Sequence, residues 1–125
     1  ARSTAPWRGW PSIGRAVVPQ SPAVRKLDVN TDELDQDYDV IAALGLTEYV
    51  PLTAFLSSMR RRCRFLVVSH VLRASDLYSP DDLKRLGWLN HLSAAQFTDC
   101  LISTGYEVLE TKMTSNNKTK LWLCT

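Results

Sequence analysis

The sequence lacks most of the signals that announce chemistry. Its five glycines are scattered at positions 9, 14, 45, 87 and 105, so no glycine-rich loop is present to cradle a phosphate. The three cysteines, Cys63, Cys100 and Cys124, are widely spaced and odd in number. That excludes a closed disulfide framework and any paired metal-ligand spacing, and reads as buried free thiols. The two histidines, His70 and His91, have no cysteine or serine beside them in a nucleophile motif, so neither is assigned a role. The longest apolar stretch, Phe65 to Leu72, is broken by Ser69 and His70, far short of a bilayer span. These absences predict no catalytic residue, no cofactor and no metal site, and a protein that is not an enzyme.

What is present is charge laid out in blocks. Residues 1–27 hold five basic groups and no acid, residues 28–50 seven acids and no base, and residues 51–75 five arginines and no acid, although the net charge is only +2. Such segregation predicts a surface that meets partners of both signs, or neighbouring blocks that neutralise each other on the folded protein. With 125 residues the chain has room for one core.

Residues 1–29 form a basic tail with Pro6, Pro11, Pro19 and Pro22 spaced so that no regular element can grow. Arginine- and serine-rich and free of acid up to Asp28, it has the composition of an organellar transit segment. Localisation is accordingly expected in the mitochondrion or another organelle matrix, with nucleus or cytoplasm as the alternative. Trp7, Arg8 and Trp10 offer an extended strip able to stack on bases. A solvated tail is the plainer reading.

Residues 30–125 are expected to make a single domain. Asn30 with Glu33 reads as a helix start, and Leu34, Tyr38, Ile41 and Leu44 fall at helical spacing before Gly45. The interleaved aspartates lack the glycine and distal glutamate of a calcium loop. From Pro51 the pattern is helical at least through Arg62. Beyond it, residues 64–72 are open between helix and buried strand. Arg60, Arg61, Arg62 and Arg64 place four guanidinium forks within five residues, suited to phosphate or to the acidic block.

Ser79-Pro80-Asp81-Asp82 is a helix start with a capping side chain, a proline at the first position and carboxylates in the first turn. Leu83, Leu86 and Leu89 are expected to bury one side of it. Ser93-Ala94-Ala95-Gln96 is a capping box, and its helix, with Phe97, Cys100 and Leu101 inward and Ile102 helping to close the core, ends at Gly105. Two strand-like runs, Glu107 to Met113 and Lys120 to Cys124, flank a polar turn. Asn117-Lys118-Thr119 formally fits a glycosylation acceptor and is read as part of that turn.

In its order of helix, turn, helix and hairpin, the stretch from Ser79 to Cys124 resembles the winged-helix superfamily. The resemblance implies a mainly α domain with a small C-terminal β-hairpin (α+β), and typical members bind duplex DNA. The outward positions of the second helix, Ala94, Ala95, Thr98, Asp99 and Ser103, offer no arginine or lysine to read bases, so sequence-specific DNA binding is disfavoured. The expected function is a noncatalytic structural subunit of a nucleoprotein complex, an organellar ribosome or RNA-processing assembly. It would sit among other protein subunits and touch RNA backbone through Trp7, Arg8, Trp10, the four arginines, Lys112, Lys118 and Lys120. The alternatives are a winged-helix protein–protein adaptor and, behind it, a DNA-binding transcription-type factor.

Overall fold

A computed structural model describes residues 32–125. The tail of residues 1–29, with Trp7, Arg8 and Trp10, lies outside the described residues. The described chain runs β1 (Tyr38–Ala43), α1 (Leu52–Arg60), β2 (Cys63–Val71), α2 (Ala74–Leu77), α3 (Pro80–Leu86), α4 (Ala94–Ser103), β3 (Val108–Met113) and β4 (Thr119–Cys124). Its strands form one mixed sheet in the order β1-β2-β4-β3.

β1 and β2 are parallel, with Val40 opposite Phe65 and Ile41 opposite Leu66. The crossover between them carries α1, as a parallel pair requires. β4 enters antiparallel on the other side of β2, Leu66 facing Cys124 and Val71 facing Thr119. β3 closes the sheet antiparallel to β4, with a register irregularity between Val108 and Glu110.

This architecture corrects the expected mainly α, winged-helix fold. The segment read as a helix from Asn30 contains β1. Its apolar residues fall at helical intervals, but Val40, Ile41, Ala42 and Ala43 are all partly or fully covered. A parallel strand covered on both sides shows no alternation by which to recognise it. The helix from Pro51 stops at Arg60. The open segment that follows is a strand, with five consecutive buried residues from Leu66 to His70. The hairpin is not a wing on the surface, since β4 is an inner strand.

The local signals are present as read. The Ser79 hydroxyl accepts from the Asp82 N–H behind Pro80, and Gly87 ends α3 at φ 76°. Ser93 and Gln96 form the reciprocal capping box of α4. Gly105 takes φ 100° just beyond that helix, in the left-handed region that glycine enters without steric cost. Of the three leucines expected to bury one side of α3, only Leu83 is buried. Leu86 and Leu89 are exposed, and so is Ile102 of α4.

The core lies where α1 and α4 cover one face of the sheet. Phe55, Leu56, Phe97 and Leu101 pack against Leu66, Val68, Trp122 and Cys124. Trp122 has no exposed surface, stacks tilted on Phe97 at 4.4 Å between ring centroids and donates its indole N–H to Thr98 Oγ1 at 3.0 Å. Burying an aromatic while satisfying its one donor lets a single side chain tie β4 to α4.

Candidate functional site

In open α/β sheets, ligands bind in the crevice beyond the carboxyl ends of parallel strands. Here those ends are Ala43 of β1 and Val71 of β2. The loop 44–51 leaves the first, and the connection 72–93 leaves the second. The two loops are stitched together, since the Leu89 N–H donates to the Glu48 carbonyl at 2.6 Å. Asn90 Nδ2 donates to the carbonyls of Thr47 and Val50, both at 2.7 Å.

The crevice floor is a buried polar cluster of Thr47, Glu48, Ser69 and His70. Thr47 Oγ1 donates its only proton to the Ser69 carbonyl at 2.6 Å. Its 2.8 Å contact with His70 Nδ1 must then be one in which the ring N–H donates. That fixes the tautomer and leaves Nε2 to accept the Leu92 N–H at 3.4 Å. Burial, with a smaller push from neighbouring His91, lowers the His70 pKa to about 4. The ring is thus neutral at physiological pH, and its 3.6 Å approach to Glu48 Oε2 is no ion pair. The Glu48 carboxylate instead accepts the Val71 N–H at 2.7 Å, and Ser69 Oγ accepts the Gly45 N–H at 2.9 Å. Every one of these side chains is committed to the fold.

Above the floor, the connection 72–93 forms a second and different environment. A cavity of about 300 Å³ is lined by Ser75, Tyr78, Pro80, Leu83, Lys84 and His91. Trp88 packs edge-on against Tyr78 at 5.6 Å and against Tyr49 at 6.1 Å. Its indole Nε1 is buried without a hydrogen-bond partner among the described residues.

Two of the three thiols are held in the protonated form by burial. Burial pushes Cys63 up to about 11, and burial, with Cys63 beside it, pushes Cys124 up to about 12. Both stay protonated at neutral pH. Burial first, then these two thiols, also raises Tyr106 above the usual phenol range, and its hydroxyl donates to the Leu56 carbonyl at 2.7 Å. Among the described residues no group of three or more His, Cys, Asp or Glu could hold a metal ion, and no helix is long and apolar enough to cross a membrane.

The basic residues expected to meet RNA are split between opposite ends of the sheet. Arg60, Arg61, Arg62 and Arg64 surround the start of β2, whereas Lys118 and Lys120 adjoin its carboxyl end, where the Leu72 N–H donates to the Lys118 carbonyl at 2.8 Å. A nine-residue strand puts roughly 26 Å between those ends. Lys112 lies near the two other lysines, on β3 opposite Leu121, which itself faces Ser69 close to the carboxyl end of β2. Three of the four arginines already have intrachain partners. Arg60 Nε donates to the Gly105 carbonyl at 2.9 Å, Arg62 pairs with Asp37 at 3.3 Å, and Arg64 lies 5.6 Å from the Phe65 ring centroid.

No family model matches the chain, and no curated protein matches it in sequence. Solved structures do match its fold. It is similar to magnesium protoporphyrin IX methyltransferase from Synechocystis with bound SAH, at 17% identity and TM-score 0.61, over 80% of this chain and 49% of that one. It is also similar to an S-adenosylmethionine-dependent methyltransferase from Mesorhizobium loti, at 12% identity and TM-score 0.65, over 90% of this chain and 74% of that one. A third, the DhpI-SAM-HEP complex, matches at 14% identity and TM-score 0.60 over 81% of this chain. The chain spans about half the length of the first of these.

These neighbours are methyltransferases with a Rossmann-like mixed sheet, not winged-helix proteins. They overturn the winged-helix resemblance and, with it, the expectation of a noncatalytic nucleoprotein subunit that is not an enzyme. The sequence-based reading also passed over Thr47, Glu48, Tyr78 and Trp88. Glu48 had a signal, being the lone charge in the apolar run Leu44 to Phe55. Trp88 had one too, following a helix-ending glycine in a short connection.

A nucleoside cofactor such as the SAH and SAM named with those neighbours needs polar partners, and the floor side chains do not supply them. The polar side chains of the crevice floor, Thr47, Glu48, Ser69 and His70, are buried and already bonded within the chain.

Proposed function

We propose that this chain is part of an S-adenosylmethionine-dependent methyltransferase and that residues 32–125 form the acceptor side of its fold. The observation that carries this is the mixed β1-β2-β4-β3 sheet, whose solved counterparts are methyltransferases. A parallel pair opens onto a crevice at its carboxyl ends, in the place where open α/β sheets bind ligands.

In this reading the buried cluster is a support. Through their hydrogen bonds, His70 and Glu48 lock the loops after β1 and β2 to each other, so the crevice keeps its shape. No cofactor contact and no chemical step is assigned to the floor residues.

The test is made on the protein as isolated from cells. Titration calorimetry with S-adenosylmethionine and S-adenosylhomocysteine should give saturable binding, and isotopically labelled methyl should move to a small-molecule extract. Absence of both binding and transfer would falsify the reading.

A further inference from the structure

The cavity formed by the connection 72–93 differs from the crevice floor in one decisive respect: its polar groups are unused. Among the described residues, the Ser75 hydroxyl, the Tyr78 hydroxyl and the Lys84 ammonium have no hydrogen-bond or ion-pair partner, whereas Arg73 pairs with Asp76 at 2.6 Å and Arg85 with Asp82 at 2.7 Å; Asp81, exposed in the first turn of α3, is the one other unpaired charged side chain of this connection. His91 spends Nε2 on the Trp88 carbonyl at 2.9 Å. A carbonyl can only accept, so Nε2 carries a proton, and Nδ1 has no partner among the described residues. The buried Trp88 Nε1 adds an unpartnered donor beside Tyr78.

The surroundings are apolar and aromatic. Tyr78, Pro80 and Leu83 wall the cavity, and Trp88 packs edge-on against Tyr78. Of the eight exposed large hydrophobic residues among those described, five, Tyr49, Leu77, Tyr78, Leu86 and Leu89, belong to this rim or the loop stitched to it. An exposed apolar patch around a pocket with a few spare polar groups is the anatomy of a small-molecule site. At about 300 Å³ the cavity is at the lower end of the range for such sites.

We propose that this cavity binds a small hydroxyaromatic acid. The ring lies against Tyr78, Pro80 and Leu83, the acidic group pairs with Lys84, and the hydroxyl donates to His91 Nδ1. Its identification as the methyl acceptor rests on the function proposed above; its binding does not.

The experiment separates the two. The isotope-labelled full chain is titrated, without S-adenosylmethionine, with para-hydroxybenzoate, phenol, benzoate and hexanoate while its amide and indole N–H resonances are followed. Para-hydroxybenzoate should give saturable shifts centred on the Trp88 indole and on residues 75–91. Lys84→Met should weaken para-hydroxybenzoate and benzoate by about tenfold and leave phenol unchanged. His91→Phe should weaken the two hydroxyl-bearing probes and spare benzoate. No saturable shift at millimolar probe, shifts centred elsewhere, or hexanoate binding as tightly as para-hydroxybenzoate would overturn the proposal. Because Lys84 is exposed on the short α3, its variant should fold whatever becomes of His91→Phe. If S-adenosylmethionine binds the native protein and these probes do not, the pocket assignment falls and the methyltransferase reading stands; the reverse result parts them the other way.

Discussion

Two polar regions lie side by side at the carboxyl end of the sheet, and they are built on opposite rules. In the floor, Thr47, Glu48, Ser69 and His70 are buried and every side chain has a partner within the chain. In the neighbouring cavity, Ser75, Tyr78, Lys84 and His91 surround an apolar space with polar atoms left over. A buried group without a partner costs stability, so the first region is made for holding shape. The second keeps spare polar atoms where solvent or a ligand can reach them. Chemical resemblance between the two, each with its histidine and its hydroxyls, says nothing about role until the bonds are counted.

Mutation should expose the asymmetry most strongly at His70. Replacing it with alanine removes the ring stacked on Phe97 at 4.7 Å and strands the Leu92 N–H. A loss of about 4 kcal/mol is expected in urea unfolding; a loss below about 1 kcal/mol would place His70 with the cavity residues instead. Acid should act on the same residue. Its pKa is lowered to about 4 in the folded protein, against about 6.5 in the unfolded chain. Between these values the unfolded state binds more protons, so stability is fully present above pH 6.5 and falls as the pH drops toward 4. The fall is on the order of 3 kcal/mol, and a His70→Gln variant should lack that component of the pH profile.

Asn90→Ala should come next. It breaks two 2.7 Å bonds to the loop after β1, at about 2 kcal/mol, read by thermal unfolding. Smallest are the cavity variants. Lys84→Met and Tyr78→Phe should each shift stability by less than about 0.5 kcal/mol. A large loss at either position would mean that the cavity is structural after all.

The sequence made local chemistry legible and left the global arrangement hidden. Ser79, the Ser93–Gln96 box, Gly105 and the hairpin could be read because each is decided within a few residues by backbone hydrogen bonds and allowed torsions. β1 could not, because a strand covered on both faces need not alternate, and Leu34, Tyr38, Ile41 and Leu44 happen to fall at helical intervals. Nor could the position of β4. Nothing inside Lys120 to Cys124 says that its partner is β2, across the whole of α2, α3 and α4, instead of a free edge. The candidate site shared this blindness, since Glu48, His70, Tyr78 and Trp88 become neighbours only once β1 and β2 lie parallel. The arginine cluster stood out in the sequence for the opposite reason: it is contiguous there, and on the sheet it is remote from the crevice.

The placement of β4 also has a kinetic meaning. Its hairpin with β3 is local, but its pairing with β2 joins residues 48 apart at Val71 and Thr119 and 58 apart at Leu66 and Cys124. Ordering that much intervening chain carries an entropic cost before any contact is gained, and sheets dominated by such distant pairings fold slowly. The inner position of β4 thus makes this strand the keystone of the described sheet, and the search for its pairing with β2 is expected to set the pace at which these four strands assemble.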